Sequence, residues 1–222
     1  MWSITTSAVS GQFIVLEGAD GVGKTTQTAL LSSWMDARGI DHIVAREPGG
    51  TPLGESIREL VLGQIDFQIT PETELLLILA ARAAFVSEVV RPALGDGKVV
   101  IADRFALSTL AYQGYGRGLP LDDVRDGLRI ATGGLEPDLY ILLDLPVEES
   151  LSRQAMSGTE LDRIESEGES FLSLVRRGYL ALGDSEEGVQ VLSGSGSPEA
   201  VQDRVRQLLT EVFPETFSNR IP

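Results

Sequence analysis

The sequence predicts an α/β fold: one five-stranded parallel sheet with helices on both faces. Three observations lead there. Strand-like and helix-like segments alternate along the chain. Several strand-like runs, QFIVLEG (12–18), KVVIADR (98–104) and DLYILLD (138–144), have unbroken apolar centres, as strands covered on both faces require. No internal repeat and no linker divides the 222 residues, a length that suits one generous domain.

The elements follow in order. Run 12–18 ends in glycine and reads as a buried strand. A glycine-rich turn leads into a helical pattern over 24–37. HIVA (42–45) gives the second strand. REPGGTPLGE (46–55), with two prolines and three glycines, must be irregular. Helices are expected at 53–63 and 71–92, the latter with Pro71 in its first turn. Strands three and four are 98–104 and 138–144, with helical patterns at 107–115 and 121–132 between them. VQVLS (189–193) is the fifth strand, and a last helix covers 198–213. The stretch 154–170, QAMSGTELDRIESEGES, is polar and densely charged. It reads as a mobile surface segment within a lid at about 152–168. Residues 1–11 read as a loose leader, 12–213 as the domain and 214–222 as a tail.

Composition excludes several function classes. Thirty-three Asp and Glu against 18 Lys and Arg give a net charge of −15. Such a surface repels a nucleic-acid backbone or an anionic membrane, so any polyanion handled here must be small and held locally. With no cysteine and His42 as the single histidine, disulfides, thiolate metal sites and histidine clusters are ruled out. The best apolar run, 75–81, is far short of the ~20 residues that span a bilayer. Residues 1–10 lack the basic side chain and apolar core of a signal peptide, and a cytoplasmic protein is expected.

GADGVGKT (18–25) matches G-x-x-x-x-G-K-[ST] between a predicted strand and a predicted helix, the context that motif needs. Gly18, Gly21 and Gly23 let the backbone curl so that successive N–H groups meet phosphate oxygens. The helix start adds a favourable dipole. Lys24 supplies a point charge to the β- and γ-phosphates, and the Thr25 hydroxyl can coordinate Mg²⁺. Ala19, Asp20, Val22 and Thr26 complete the expected ATP loop. The fold class sharpens to a three-layer P-loop NTPase fold with a short lid.

Four blocks, FIVLEGADGVGKTTQ, REPGGTPLGESIREL, ADRFALSTLAYQGYGRGL and ELDRIE, occur in this order. Together they resemble the bacterial thymidylate kinases, over about residues 12–213. The resemblance implies Mg²⁺-dependent transfer of the ATP γ-phosphoryl group to dTMP, giving dTDP. Asp103 and Arg104 end the third strand, where open α/β sheets bind ligands. Arg104 can bridge acceptor phosphate and moving phosphoryl group, and Asp103 can hold Mg²⁺; alternatively the pair simply closes a strand end. Arg58 matches the family's arginine on the monophosphate, against a solvated helix arginine. Arg82, alone in LLLILAARAAFV, matches the residue on the thymine edge, against a buried ion pair. Tyr112 and Gln113 match residues lining deoxyribose and base, Tyr112 crowding out a 2′-hydroxyl, against core packing. Ser108 belongs to the same substrate block. Asp20 matches a carboxylate that accepts the sugar 3′-hydroxyl, against a simple cap on the turn; Glu47 could join the metal's outer shell, although a PGG turn needs no chemistry to exist.

The match departs in two places. Ile78 stands where the family has a phenylalanine stacked on thymine, and an aliphatic surface loses that stacking. Residues 154–160 carry no cation, although lid arginines answer transition-state charge in relatives whose phosphate loop lacks one. Arg163 is expected to carry that charge, with Arg153 steering ATP; the rival is an Arg163 pair with Glu160 or Glu165. Another P-loop kinase of a small acceptor and a non-catalytic nucleotide binder stay open as alternatives. Helix 71–92 is apolar enough for a second buried face, and with the family's habit this implies a homodimer.

Overall fold

The structure, a computed structural model, describes residues 11–63, 67–158 and 161–218. Most of the expected leader, the last four tail residues, and Thr159 and Glu160 of the expected lid lie outside the described residues. Five strands form one sheet: β1 (Gln12–Glu17), β2 (His42–Arg46), β3 (Val99–Asp103), β4 (Leu139–Asp144) and β5 (Val189–Ser193). Their order is β2-β3-β1-β4-β5, every pair parallel.

The central strand accounts for the unbroken apolar pattern. Phe13 and Val15 enter a core on one face of the sheet, and Ile14 and Leu16 enter another core on the opposite face. The first core is closed by α2 (Pro52–Leu62), α3 (Pro71–Phe85), α6 (Leu121–Thr132) and α8 (Glu169–Ser185). The second is closed by α1 (Lys24–Asp36) and α9 (Pro198–Val212). Three helices open with one device. Thr51, Thr70 and Ser197 each accept a backbone N–H three residues on, and a proline fills the next position, as helix starts favour.

Differences from expectation are local. The helix expected at 71–92 runs on through a π-helical turn, Val86–Val90, into α4 (Arg91–Gly95). The one expected at 107–115 is α5 (Ala106–Thr109) followed by a π-helical stretch, Leu110–Gly116. Two helices had no counterpart in the expected elements: α7 (Val147–Ser157) and α8. The stretch read as a mobile segment begins inside α7, and Ile164 is buried. Its local order has a cause: the Asp162 carboxylate accepts the N–H groups of Ile164 and Glu165, both at 2.8 Å, and Glu165–Glu167 form a 3₁₀ turn. The expected tail starts as a helical turn, α10 (Pro214–Phe217), whose Phe217 is buried against Trp34 at 5.6 Å between ring centroids.

Candidate active site

The carboxyl ends of β1 and β3 open on a cavity of about 980 Å³. The turn after β1 forms one wall. Gly18 takes φ 136°, and a Cβ there would lie 2.4 Å from the Leu143 carbonyl oxygen, so only glycine fits. Gly21 and Gly23 also have positive φ. No side chain caps the start of α1, which leaves its first N–H groups to an anion. Residues from Asp20 through Thr26 line the cavity. Val22 and Ala19 also pack into the core behind it. The buried Lys24 ammonium donates to the carbonyls of Gly18 (3.0 Å) and Ala19 (2.9 Å). Burial and then the Arg104 charge pull its pKa down.

Thr25 Oγ1 donates to Asp103 Oδ2 at 3.0 Å. A hydroxyl in the first turn of α1 and a carboxylate at the end of β3 form an oxygen-only donor pair, which fits Mg²⁺ sharing its remaining positions with water and phosphate.

Arg104 follows directly. Its φ of 76° is the single positive value of a non-glycine among the described residues, a strained geometry that calls for strong local support. Nη1 donates to Gly18 O, Ser108 Oγ and Tyr179 OH, each at 3.1 Å. Nη2 donates to Tyr112 OH at 3.1 Å and to Asp20 Oδ1. Tyr112 OH in turn donates to Asp20 Oδ2 at 2.6 Å. Burial would raise the Asp20 pKa, but the Arg104 and Lys24 charges hold it down to about 2. Four expected residues, Asp20, Arg104, Ser108 and Tyr112, thus meet in one network.

Across the cavity, Arg82 is 2 % exposed and combines both roles weighed for it. It lines the cavity, yet Nε donates to Glu47 (2.7 Å), Nη1 to Thr109 (2.6 Å) and Nη2 to the Phe105 carbonyl (2.9 Å). Burial, only partly offset by Arg82, pushes Glu47 up to about 7, and its Oε1 has no hydrogen-bond partner. Arg58 faces the same cavity and donates to the Pro48 carbonyl at 3.0 Å. Ile78 and Gln113 are buried wall residues. Gln113 Nε2 is committed to Glu74 Oε1 at 2.9 Å.

The two lid arginines separate. Arg153 lines the cavity, held by Glu149 (2.7 Å) and the Gly194 carbonyl (3.1 Å). Arg163 stands elsewhere, and the expectation that it answers transition-state charge does not match its place. Nε donates to the Val61 carbonyl at 2.7 Å and Nη2 to Glu74. That carboxylate is 1 % exposed and also holds Arg117 through two 3.1 Å bonds. The rival pairing weighed for it does not form with Glu165, which accepts from Gln154 and the Asp162 N–H; Glu160 lies outside the described residues.

Sequence reasoning missed Glu17 and Tyr179, which stand behind Arg104. A carboxylate closing an apolar strand was a readable signal for the first. For the second it was the spacing of Phe171, Leu172, Val175, Tyr179 and Leu182 on one face of α8.

Comparison with known proteins agrees with this geometry. A family model described as thymidylate kinase matches residues 16–205. The chain is 47 % identical over 209 residues to a thymidylate kinase of Desulforudis audaxviator, covering 91 % of this chain and 94 % of that protein. It is 45 % identical over 202 residues to one of Pseudomonas putida strain GB-1, covering 90 % and 96 %. The chain belongs to the thymidylate kinase family.

Proposed function

We propose that the chain transfers the γ-phosphoryl group of ATP to dTMP, giving dTDP, within the cavity described above. The observation that carries this reading is the Asp20–Arg104–Tyr112 network, which joins the phosphate loop to the helix after β3. ATP lies along the loop from Gly18 to Thr26, with Arg153 beside its base end. The monophosphate meets Arg58 and Arg104, with Ser108 supporting Arg104; the sugar meets Asp20 and Tyr112, and the base meets Ile78, Arg82 and Gln113. Thr25 and Asp103 would hold Mg²⁺, which supplies charge neutralisation between the phosphates.

The acceptor is a phosphate oxygen, already ionised near neutral pH because its second pKa is about 6. No general base is needed. The chemistry asks instead for cations that hold two anions in line and meet the charge spreading over the equatorial oxygens. Lys24 and Arg104, both fixed by several hydrogen bonds, supply that charge without reorganising.

Partners on this reading are the two nucleotides and a second copy of the chain, in the cytoplasm. For the dimer, α3 offers Leu76, 66 % exposed, with Ala80 and Ala83 on the same exposed stripe, the second face expected from its composition. Light scattering after size exclusion reads this directly: a single-chain mass at micromolar concentration overturns it. A coupled assay over dTMP, dUMP, dCMP, dGMP and thymidine tests the acceptor. The expected result is highest kcat/KM with dTMP. Preference for another acceptor would move the chain to a different specificity, which Ile78 makes a real test.

A further inference from the structure

Glu17 takes no part in the reaction as described and does not line the cavity, yet its carboxylate is 0 % exposed at the end of β1. Burying a carboxylate is costly unless every lone pair is used. Oε1 accepts the backbone N–H groups of Phe105 (2.8 Å) and Ser108 (3.2 Å). Those bonds alone would hold the turn into α5. Oε2 does something else: it accepts from Ser108 Oγ at 2.6 Å and from Tyr179 OH at 3.0 Å. Both hydroxyls also accept from Arg104 Nη1 at 3.1 Å.

We propose that Glu17 is a positioning residue for phosphoryl transfer, orienting the Ser108 and Tyr179 hydroxyls so that both present lone pairs to Arg104. Each hydroxyl has one hydrogen. The two oxygens lie 2.7 Å apart, so one can pass its hydrogen to the other, but the chain still ends on the carboxylate. Donation therefore runs from Arg104 through the hydroxyls to Glu17, and neither hydroxyl turns its hydrogen toward the guanidinium. An acceptor oxygen behind the two hydroxyls also polarises them and strengthens their bonds to the arginine. In this way the strand that ends in the phosphate loop sets the angle of the cation that serves the acceptor.

Glu17→Gln separates the two halves of the carboxylate's role. The amide oxygen keeps the backbone bonds to Phe105 and Ser108, while the amide NH₂ falls on the hydroxyls and reverses them toward Arg104. This inference rests on Arg104 serving the dTMP phosphate, so Arg104→Lys is measured alongside. Glu17→Gln is expected to lower kcat/KM for dTMP by about tenfold to a hundredfold, the scale of one charge-assisted hydrogen bond lost. The KM for ATP should stay within about twofold, the change having spared the phosphate loop. In a Ser108→Ala/Tyr179→Phe background, adding Glu17→Gln should cost less than about twofold, since both arms are already gone. Full additivity there overturns the relay, as does a Glu17→Gln enzyme with wild-type dTMP kinetics beside a crippled Arg104→Lys. If Arg104→Lys itself turns over dTMP normally, the site reading falls instead. Should Glu17→Gln fail to fold, Tyr179→Phe decides. It leaves both backbone bonds of Glu17 intact, and unchanged dTMP kinetics in that variant overturn the proposal.

Discussion

Two buried charge clusters share the helical run after β3 and are built with opposite polarity. Around Arg104, a guanidinium gathers oxygen acceptors, three of them neutral hydroxyls from Ser108, Tyr112 and Tyr179. Around Glu74, a carboxylate gathers donors, two of them the full charges of Arg117 and Arg163. Tyr112 serves the first and its neighbour Gln113 the second. The difference teaches where exchange is cheap. The Tyr112 hydroxyl on Nη2 can give way to a phosphate oxygen with no charge left bare, while the Glu17-backed hydroxyls stay on Nη1. A carboxylate stripped of two guanidiniums leaves two uncompensated ions, Glu74 itself and Arg163, since Arg117 keeps Glu167, and that is costly at low exposure. The first cluster is built to trade partners with a ligand, the second to join α3, the helix after β3 and the lid.

The largest effect should come from the exchangeable side. Lys24→Ala should lower kcat by at least about 10³-fold, since a fixed cation on the phosphates is removed, with an unchanged melting temperature because the ammonium bonds only loop carbonyls. Near-normal turnover by the folded variant would erase the proposed distinction at its root. Tyr112→Ala removes two of that network's bonds. We expect about tenfold in kcat/KM for dTMP and a narrower ratio of dTMP to its ribose analogue; an unchanged ratio reduces Tyr112 to packing.

The junction side should behave conversely. Arg163→Ala should change kcat by less than about fivefold, ~1 kcal/mol of barrier. Stability in urea should drop by about 2 kcal/mol as Glu74 loses a charged partner. A 10³-fold kcat loss would show instead that Arg163 leaves Glu74 during turnover.

The smallest effect concerns pH. Glu47, raised to about 7 by burial, binds a proton on folding between its ordinary value of 4.5 and 7. Its contribution is therefore full at low pH and lost as pH rises through 7. Asp20, held near 2 by Arg104, works in the other direction and stays charged throughout. Stability of the wild type should fall between pH 5 and pH 8, and this slope should flatten in Glu47→Gln; an equal slope in both assigns it to other groups.

Legibility followed chain distance. The strands and the phosphate loop were readable because period, glycines and lysine lie close together, and their neighbours decide their conformation. The Arg104 network was half readable: Asp20, Ser108 and Tyr112 sit in recognisable blocks. Glu17 and Tyr179, bonded across 162 residues, become partners only when α8 packs on the sheet. The Arg163 partner lies 89 residues away on α3, so local charge pointed to Glu165, which bonds elsewhere. Helix α7, VEESLSRQAMS, was obscured by its polarity, and the lid reading absorbed its last turn.

The sheet order has a bearing on how the chain is made. Of the five described strands, β1 leaves a ribosome before the others yet is the middle one in the sheet, and Gln12 must wait for Val99, and Ile14 for Leu139. The helix behind the phosphate loop waits longer still, until Val201, Val205 and Phe217 arrive to cover Leu31 and Trp34. Such distant pairings are slow to close. The most recognisable stretch of the sequence is thus among the last to take its shape, and a nascent chain gains its grip on nucleotide only after Phe217 has been added.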